Sequence, residues 1–257
     1  MAKFVEPILY MDKARSHVGE VKNLAGNPGR ARAEFKNALL FLGKFKKHHK
    51  RRHAFGKDMP LYGEYLLLKA QVHAGLCSVK EEKGVKASAG FRVAVGYLDE
   101  YWKLVDEGKA AEMQWDSRQA AKETVRIFIG GLEYTAKLLE ESRVTNLVSG
   151  GEILASAKNI SWKKDLAVFL AEGLQKYVGR LPLEGQVQPL MDARVLLEAI
   201  IGRLDGLGAN LQRMIGNLKR RGIVAGRALE EWVGRDFTAG LGELKKAVDK
   251  ALSRPQG

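Results

Sequence analysis

Seven lysines and arginines fall between positions 44 and 57 with no carboxylate among them: Lys44, Lys46, Lys47, Lys50, Arg51, Arg52 and Lys57. Three histidines, His48, His49 and His53, are interleaved with them. The chemistry open to such a set is the capture of a polyanion. Each phosphate neutralised by a cation releases condensed counterions, so a row of cations gains affinity without reading a base. Over residues 29–58 ten Lys/Arg stand against Glu34 and Asp58, a local charge of +8, whereas the other 227 residues share only +5 of the chain's +13. A merely solubilising surface spreads its charge, and concentration in one segment is what an anionic partner requires.

The residue types favour phosphate contact over base reading. Lysine outnumbers arginine in the run. No helix-turn-helix, zinc-finger or RNA-recognition motif is present to bring side chains to base edges. Phe55 is the one neighbouring aromatic available for stacking. A second, smaller patch, Arg213, Lys219, Arg220 and Arg221, ends a long periodic segment, and it reads equally well as cations complementing a helix C-terminus.

Other chemistries find no support. His49 and His53 have helical i, i+4 spacing, but Lys46, Lys47, Lys50, Arg51 and Arg52 surround them and repel a metal ion. Protonation of these histidines near pH 6 instead adds positive charge, which makes anion binding mildly pH-dependent. Ser161 and Lys164 match the S-x-x-K spacing of serine acyl-transfer enzymes, yet the companion S-D-N and K-T-G elements are missing and Ser161 is expected to cap a helix. No phosphate-binding glycine loop, H-E-x-x-H or calcium loop occurs; Gly206-Leu207-Gly208 and Gly240-Leu241-Gly242 lack a third glycine and a preceding strand. Adjacent acids (Asp99-Glu100, Glu140-Glu141, Glu230-Glu231) point to different helix faces. His73 and the four tryptophans, at 102, 115, 162 and 232, read as core or interface residues. No catalytic residue, cofactor or metal is expected.

The element that must carry the cations is a helix over 29–53, opened by Asn27-Pro28 as cap and first helical residue. On a helical wheel Phe35, Ala38, Leu42 and Phe45 form one apolar stripe, continued by His49. Arg32, Lys36, Lys44, Lys47, Lys50 and Arg51 lie opposite, and Lys46 and Arg52 flank the stripe. One face buries the helix while the other presents cations over about 29 Å.

Helical periodicity runs through the rest of the chain, and the expected fold is an all-α bundle of about nine helices, divisible into two helical subdomains. Helices are predicted near 8–24, 29–53, 60–83, 87–107, 110–142, 161–179, 189–221, 224–235 and 237–253, with none of the six prolines inside a periodic stretch. Gly108, Gly179 and Gly222 stand where left-handed C-terminal residues belong. Residues 143–160, around Ser149-Gly150-Gly151, are open between short strand and irregular loop. They mark the preferred boundary between an N-terminal part, 1–146, and a C-terminal part, 161–257.

The 189–221 helix has an unbroken 3-4 spacing of Leu190, Ala193, Leu197, Ile200, Leu204, Leu207, Leu211, Met214 and Leu218. Ile201 and Ile215 widen the stripe beyond a strict seam, which favours a core helix over a coiled coil. Gly130, Gly131, Gly202, Gly206, Gly208 and Gly216 lie inside predicted helices, each costing about 0.8–1 kcal/mol relative to alanine. Close helix approach, within the chain or between subunits, is expected to offset that cost. Gly202-x-x-x-Gly206 is flanked by Arg203 and Asp205 and is no sign of membrane packing.

The single cysteine, Cys77, excludes an internal disulfide and a cysteine-based zinc cluster. No apolar run reaches the roughly 20 residues of a bilayer crossing, so no membrane partner is expected. The acids within the first twelve residues argue against a secretory signal. The expected location is intracellular (cytoplasmic or nucleoid-associated) or within a virion. The functional expectation is a non-enzymatic protein holding DNA or RNA by its phosphate backbone, as a nucleoprotein, genome-coating, capsid or assembly subunit. The alternative is a helical scaffold, a homo-oligomer through the 190–218 helix or its glycine-rich faces, whose basic run binds an acidic protein.

Overall fold

The computed structural model describes residues 7–24, 26–51, 61–79, 85–108, 117–144, 149–222, 230–231, 242–246 and 249. Among them the chain is all-α with no strand: seven α-helices and one short 3-10 turn up to Arg220, and further helical residues at 230–231, 242–246 and 249. The helices are α1 (Pro7–Glu20), α2 (Pro28–Arg51), α3 (Tyr62–Val79), α4 (Val85–Asp106), α5 (Ser117–Glu140), α6 (Gly150–Val178) and α7 (Leu183–Arg220). The 3-10 turn, Val21–Leu24, joins α1 to α2. The helices expected at 224–235 and 237–253 fall largely outside the described residues. The chain separates into two compact units, Met1–Ile127 and Phe128–Gly257, the division falling within α5.

In the first unit α3 is the central helix, packed on α1, α2 and α4. Its sequence is apolar on nearly every side, and Tyr62 through Leu68 are all buried, as a helix enclosed by neighbours requires. Leu61, just before it, has φ +68°, a left-handed conformation unusual for a branched side chain. Phe45, Leu66, Phe91 and Leu98 are at most 1% exposed and form the middle of this unit. α4 ends in the expected manner: Gly108 has φ +70° and its N–H donates to the Val105 carbonyl at 3.0 Å. Gly222 is left-handed too, but Gly179 is not, having φ −63°.

In the second unit α6 packs on α7. The leucine stripe of α7 is the core side of that contact: Ala193, Leu197, Ile200, Leu204 and Leu211 are fully buried within the chain. It is therefore no free seam for a second subunit.

Two boundaries differ from the sequence reading. Residues 150–160, open between strand and loop, are the first turns of α6, and Ser161 lies inside that helix and caps nothing. The cap is Ser149. Its hydroxyl accepts from the Glu152 N–H at 3.2 Å while the Glu152 carboxylate accepts from the Ser149 N–H at 3.2 Å. Likewise α7 starts at Leu183 and so contains Pro189. The proline forgoes only one backbone bond near the helix start, which Gln186 ties to the Leu181 carbonyl at 2.7 Å.

Within the chain, close contacts are seated at glycines other than Gly130, Gly202, Gly206 and Gly216. A Cβ built on Gly130, Gly202, Gly206 or Gly216 meets nothing within 4 Å. Close approaches occur at Gly75, Gly90 and Gly173, where a Cβ would stand 2.1–2.2 Å from Phe35 Cζ, Cys77 Sγ and Phe128 Cε1.

Polar groups inside the second unit close a helix end. Lys163 is 5% exposed and donates to the Leu138 carbonyl at 3.2 Å and to Ser142 Oγ at 2.5 Å. Arg203 donates to the Leu139, Glu140 and Ser142 carbonyls at 2.8–3.2 Å. Two cations thus satisfy the C-terminal carbonyls of α5 and oppose its dipole. The Ser142 hydroxyl itself donates to the Leu138 carbonyl at 2.7 Å, so this serine–lysine pair serves as a helix cap.

Candidate nucleic-acid interface

α2 begins where Asn27 accepts from the Arg30 N–H at 3.0 Å, with Pro28 as first helical residue. From there Ala31, Phe35, Ala38, Leu42 and Phe45 turn inward and are buried, which is the stripe expected from the wheel. Phe45 stacks on Tyr65 of α3 at 5.9 Å between ring centroids. His49 continues the stripe, tilted against Phe45 at 4.7 Å. The neighbouring His48 packs edge-on to His49, and its Nε2 is buried without a hydrogen-bond partner.

With that face sealed, Arg32, Lys36, Lys44, Lys47 and Lys50 are exposed on the other side. Among the described residues no carboxylate pairs with any of the five. Glu34, the only acid of α2, is held elsewhere: its Oε2 lies 2.5 Å from His17 Nδ1 of α1. The His17 ring also stacks on Phe41 at 5.4 Å, and Lys13 and Lys44 both stand over the Phe41 ring, at 5.3 and 4.9 Å. This brings Lys13, 31 residues from Lys44 in sequence, to the edge of the cationic face. Arg15 of α1 anchors the same helix to α3 by donating from Nε to Glu64 Oε1 at 2.7 Å.

Lys46 is half-buried on the flank that faces α3. Its neighbour there is Lys69, an amine held below its ordinary pKa by burial first and by the Lys46 charge second. Lys69 also stands 5.7 Å from the Tyr97 ring of α4. Lys13 and Lys69 are cations that the sequence reading did not assign to this face, because only the packing of α1 and α3 on α2 brings them near it. Arg51 closes α2, while its side chain and all of Arg52, His53, Phe55 and Lys57 lie outside the described residues.

The second patch is partly neutralised. Lys219 pairs with Glu230 at 2.6 Å, and Arg220 donates to Asn217 Oδ1 at 2.5 Å. The Arg221 N–H closes the end of α7 on the Asn217 and Leu218 carbonyls, and Arg213 is exposed. These contacts fit helix termination better than ligand capture.

His73 of α3 stacks on Tyr97 at 5.6 Å, and burial, then the Lys69 charge, push its imidazole down to about 4. The folded chain therefore resists a proton that the unfolded chain accepts below about 6.5. Stability is full above that value and is lost as the pH falls from about 6.5 towards 4. Urea midpoints measured through this window should decline for the native chain and decline less for His73→Gln. Parallel declines would remove His73 as the cause.

Among the described residues no helix is long and apolar enough to cross a membrane. Comparison with protein-family models, with curated proteins and with solved structures finds no match to the chain.

Proposed function

We propose that the chain is a non-enzymatic nucleic-acid-associated protein that grips the phosphate backbone of DNA or RNA through α2, with little sequence specificity. The observation that supports this reading is the exposed row Arg32, Lys36, Lys44, Lys47 and Lys50, which has no carboxylate partner among the described residues. A solvated cationic helix of this kind repels itself, and phosphates relieve that repulsion along its length. Lysine-rich composition and the lack of a base-reading element make the grip a matter of charge. Such binding suits a protein that coats or organises nucleic acid, in a nucleoprotein or a particle, more than one that selects a site.

Salt titration tests the reading. Five phosphate contacts predict a slope of roughly −4.5 for log affinity against log salt on duplex DNA, hence a loss of roughly 500-fold from 50 to 200 mM. Binding that changes less than tenfold over that range, or none at 50 mM to either duplex DNA or single-stranded RNA, would falsify it. Salt-sensitive binding to an acidic protein in place of nucleic acid would favour the scaffold reading.

A further inference from the structure

α7 carries a second apolar face. Opposite the buried leucines, Val187, Met191 and Val195 follow one another at i, i+4 and i+8 and are 58%, 58% and 67% exposed. Large apolar side chains left this far in water, aligned on one helix, mark an interaction surface more often than isolated ones do. The same line continues through exposed Ala199, Gly202, Gly206 and Ala209. Among the described residues nothing stands within 4 Å of a Cβ at Gly202 or Gly206, so no contact described within this chain accounts for glycine there.

The face is bulky in its first half and bare in its second. Its two ends are oppositely charged, with Glu184 before Val187 and Arg213 after Ala209. Both are exposed, and neither has an ion-pair or hydrogen-bond partner among the described residues. A copy of the same helix laid antiparallel, on a two-fold axis between Glu198 and Ala199, sets Val195 against Gly202, Met191 against Gly206 and Glu184 against Arg213. All three pairs fall in one register. Large side chains enter glycine notches, and the contact between an acidic end and a basic end is made twice in the dimer, once per copy, as an isologous interface requires. Glu198, close to the axis, is already neutralised by Arg194 at 2.8 Å.

We infer that this face of α7 binds a second copy of the chain, antiparallel and in that register, to form a homodimer. The partner is fixed by size and charge complementarity of the helix with itself, whereas the leucine stripe that looks like a seam is occupied by the core. The dimer is independent of the nucleic-acid reading and is measured after nuclease treatment and a high-salt wash, so that bound nucleic acid cannot bridge two chains.

Sedimentation velocity across the micromolar range should give twice the monomer mass. Gly202→Leu with Gly206→Leu fills both notches at exposed helical positions, where leucine is the better helix former. It should give a monomer whose melting temperature is no lower than that of the native monomer. Glu184→Arg alone and Arg213→Glu alone should each weaken the dimer at least tenfold, and the two together should restore it. A chain that is monomeric throughout the concentration range overturns the inference. So does a dimer that persists in the double-leucine variant, or a double charge swap that fails to recover what the single ones lose.

Discussion

Lys36→Glu, Lys47→Glu and Lys50→Glu together should lower affinity for generic DNA or RNA roughly a thousandfold at about 0.1 M salt. Lys36, Lys47 and Lys50 are exposed and make no hydrogen bond, ion pair or ring contact among the described residues, so nothing in the fold depends on them. Each lost contact removes about 0.9 from the salt slope, and three remove about 2.7. At about 0.1 M that alone is worth roughly 500-fold, and the new negative charges add repulsion. Stability should move by only about 0.5 kcal/mol per site, because self-repulsion along α2 is relieved while Lys50→Glu sets a carboxylate at an unfavourable helix end. Fluorescence anisotropy with a labelled oligonucleotide reads the effect. The matched control changes net charge equally but elsewhere, as Lys103→Glu, Lys122→Glu and Lys158→Glu, all exposed. Equal losses in the two variants would mean that net charge, and not the α2 face, does the binding.

Gly75→Ala should destabilise the chain by about 2 kcal/mol, a large effect for one methyl group. The added Cβ would stand 2.1 Å from Phe35 Cζ and 2.5–2.6 Å from the two Cε atoms. Phe35 is 7% exposed, and its ring tip rests on the backbone of α3. Either the ring leaves its place or α2 moves off α3. Overpacking of this kind costs about 1–3 kcal/mol or more, and the better helix propensity of alanine returns at most about 1. Phe35→Leu shortens the intruding side chain, so the double variant should fall short of the summed losses by about 1–3 kcal/mol. Denaturant unfolding of the two single variants and the double variant measures this coupling. Strict additivity would show that Gly75 does not seat Phe35. Since Phe35 is the first large anchor of α2, the same notch sets where Lys36 and the following cations stand.

Much of the candidate site was legible from the chain alone. The stripe Phe35, Ala38, Leu42 and Phe45 identified the buried side of α2 because a helix repeats every 3.6 residues whatever it packs against. The cations opposite it then had to face solvent. What could not be read was where the balancing charges lie. Glu34 is taken up by His17, and Lys13 and Lys69 come alongside from α1 and α3. These depend on side chains far apart in sequence. The start of α6 is a different case, since Ser149-x-x-Glu152 is a capping-box spacing visible in the sequence. Two glycines after the serine drew attention to a break and away from a beginning.

Glycine shows most clearly how the two sources of information divide. The chain's composition and periodicity determine that it is helical, that α2 is two-sided and that α7 has a leucine core face, because these follow from local spacing and hold for any packing. A helical glycine is only a vacancy, and what enters it is a neighbour from another element. Tertiary structure assigns Phe35 to Gly75, Cys77 to Gly90 and Phe128 to Gly173, and leaves Gly202 and Gly206 open on the surface. The row of cations on α2 was thus determined by sequence. Whether a carboxylate covers that row, and which face of α7 remains for a partner, were decided only when the helices packed.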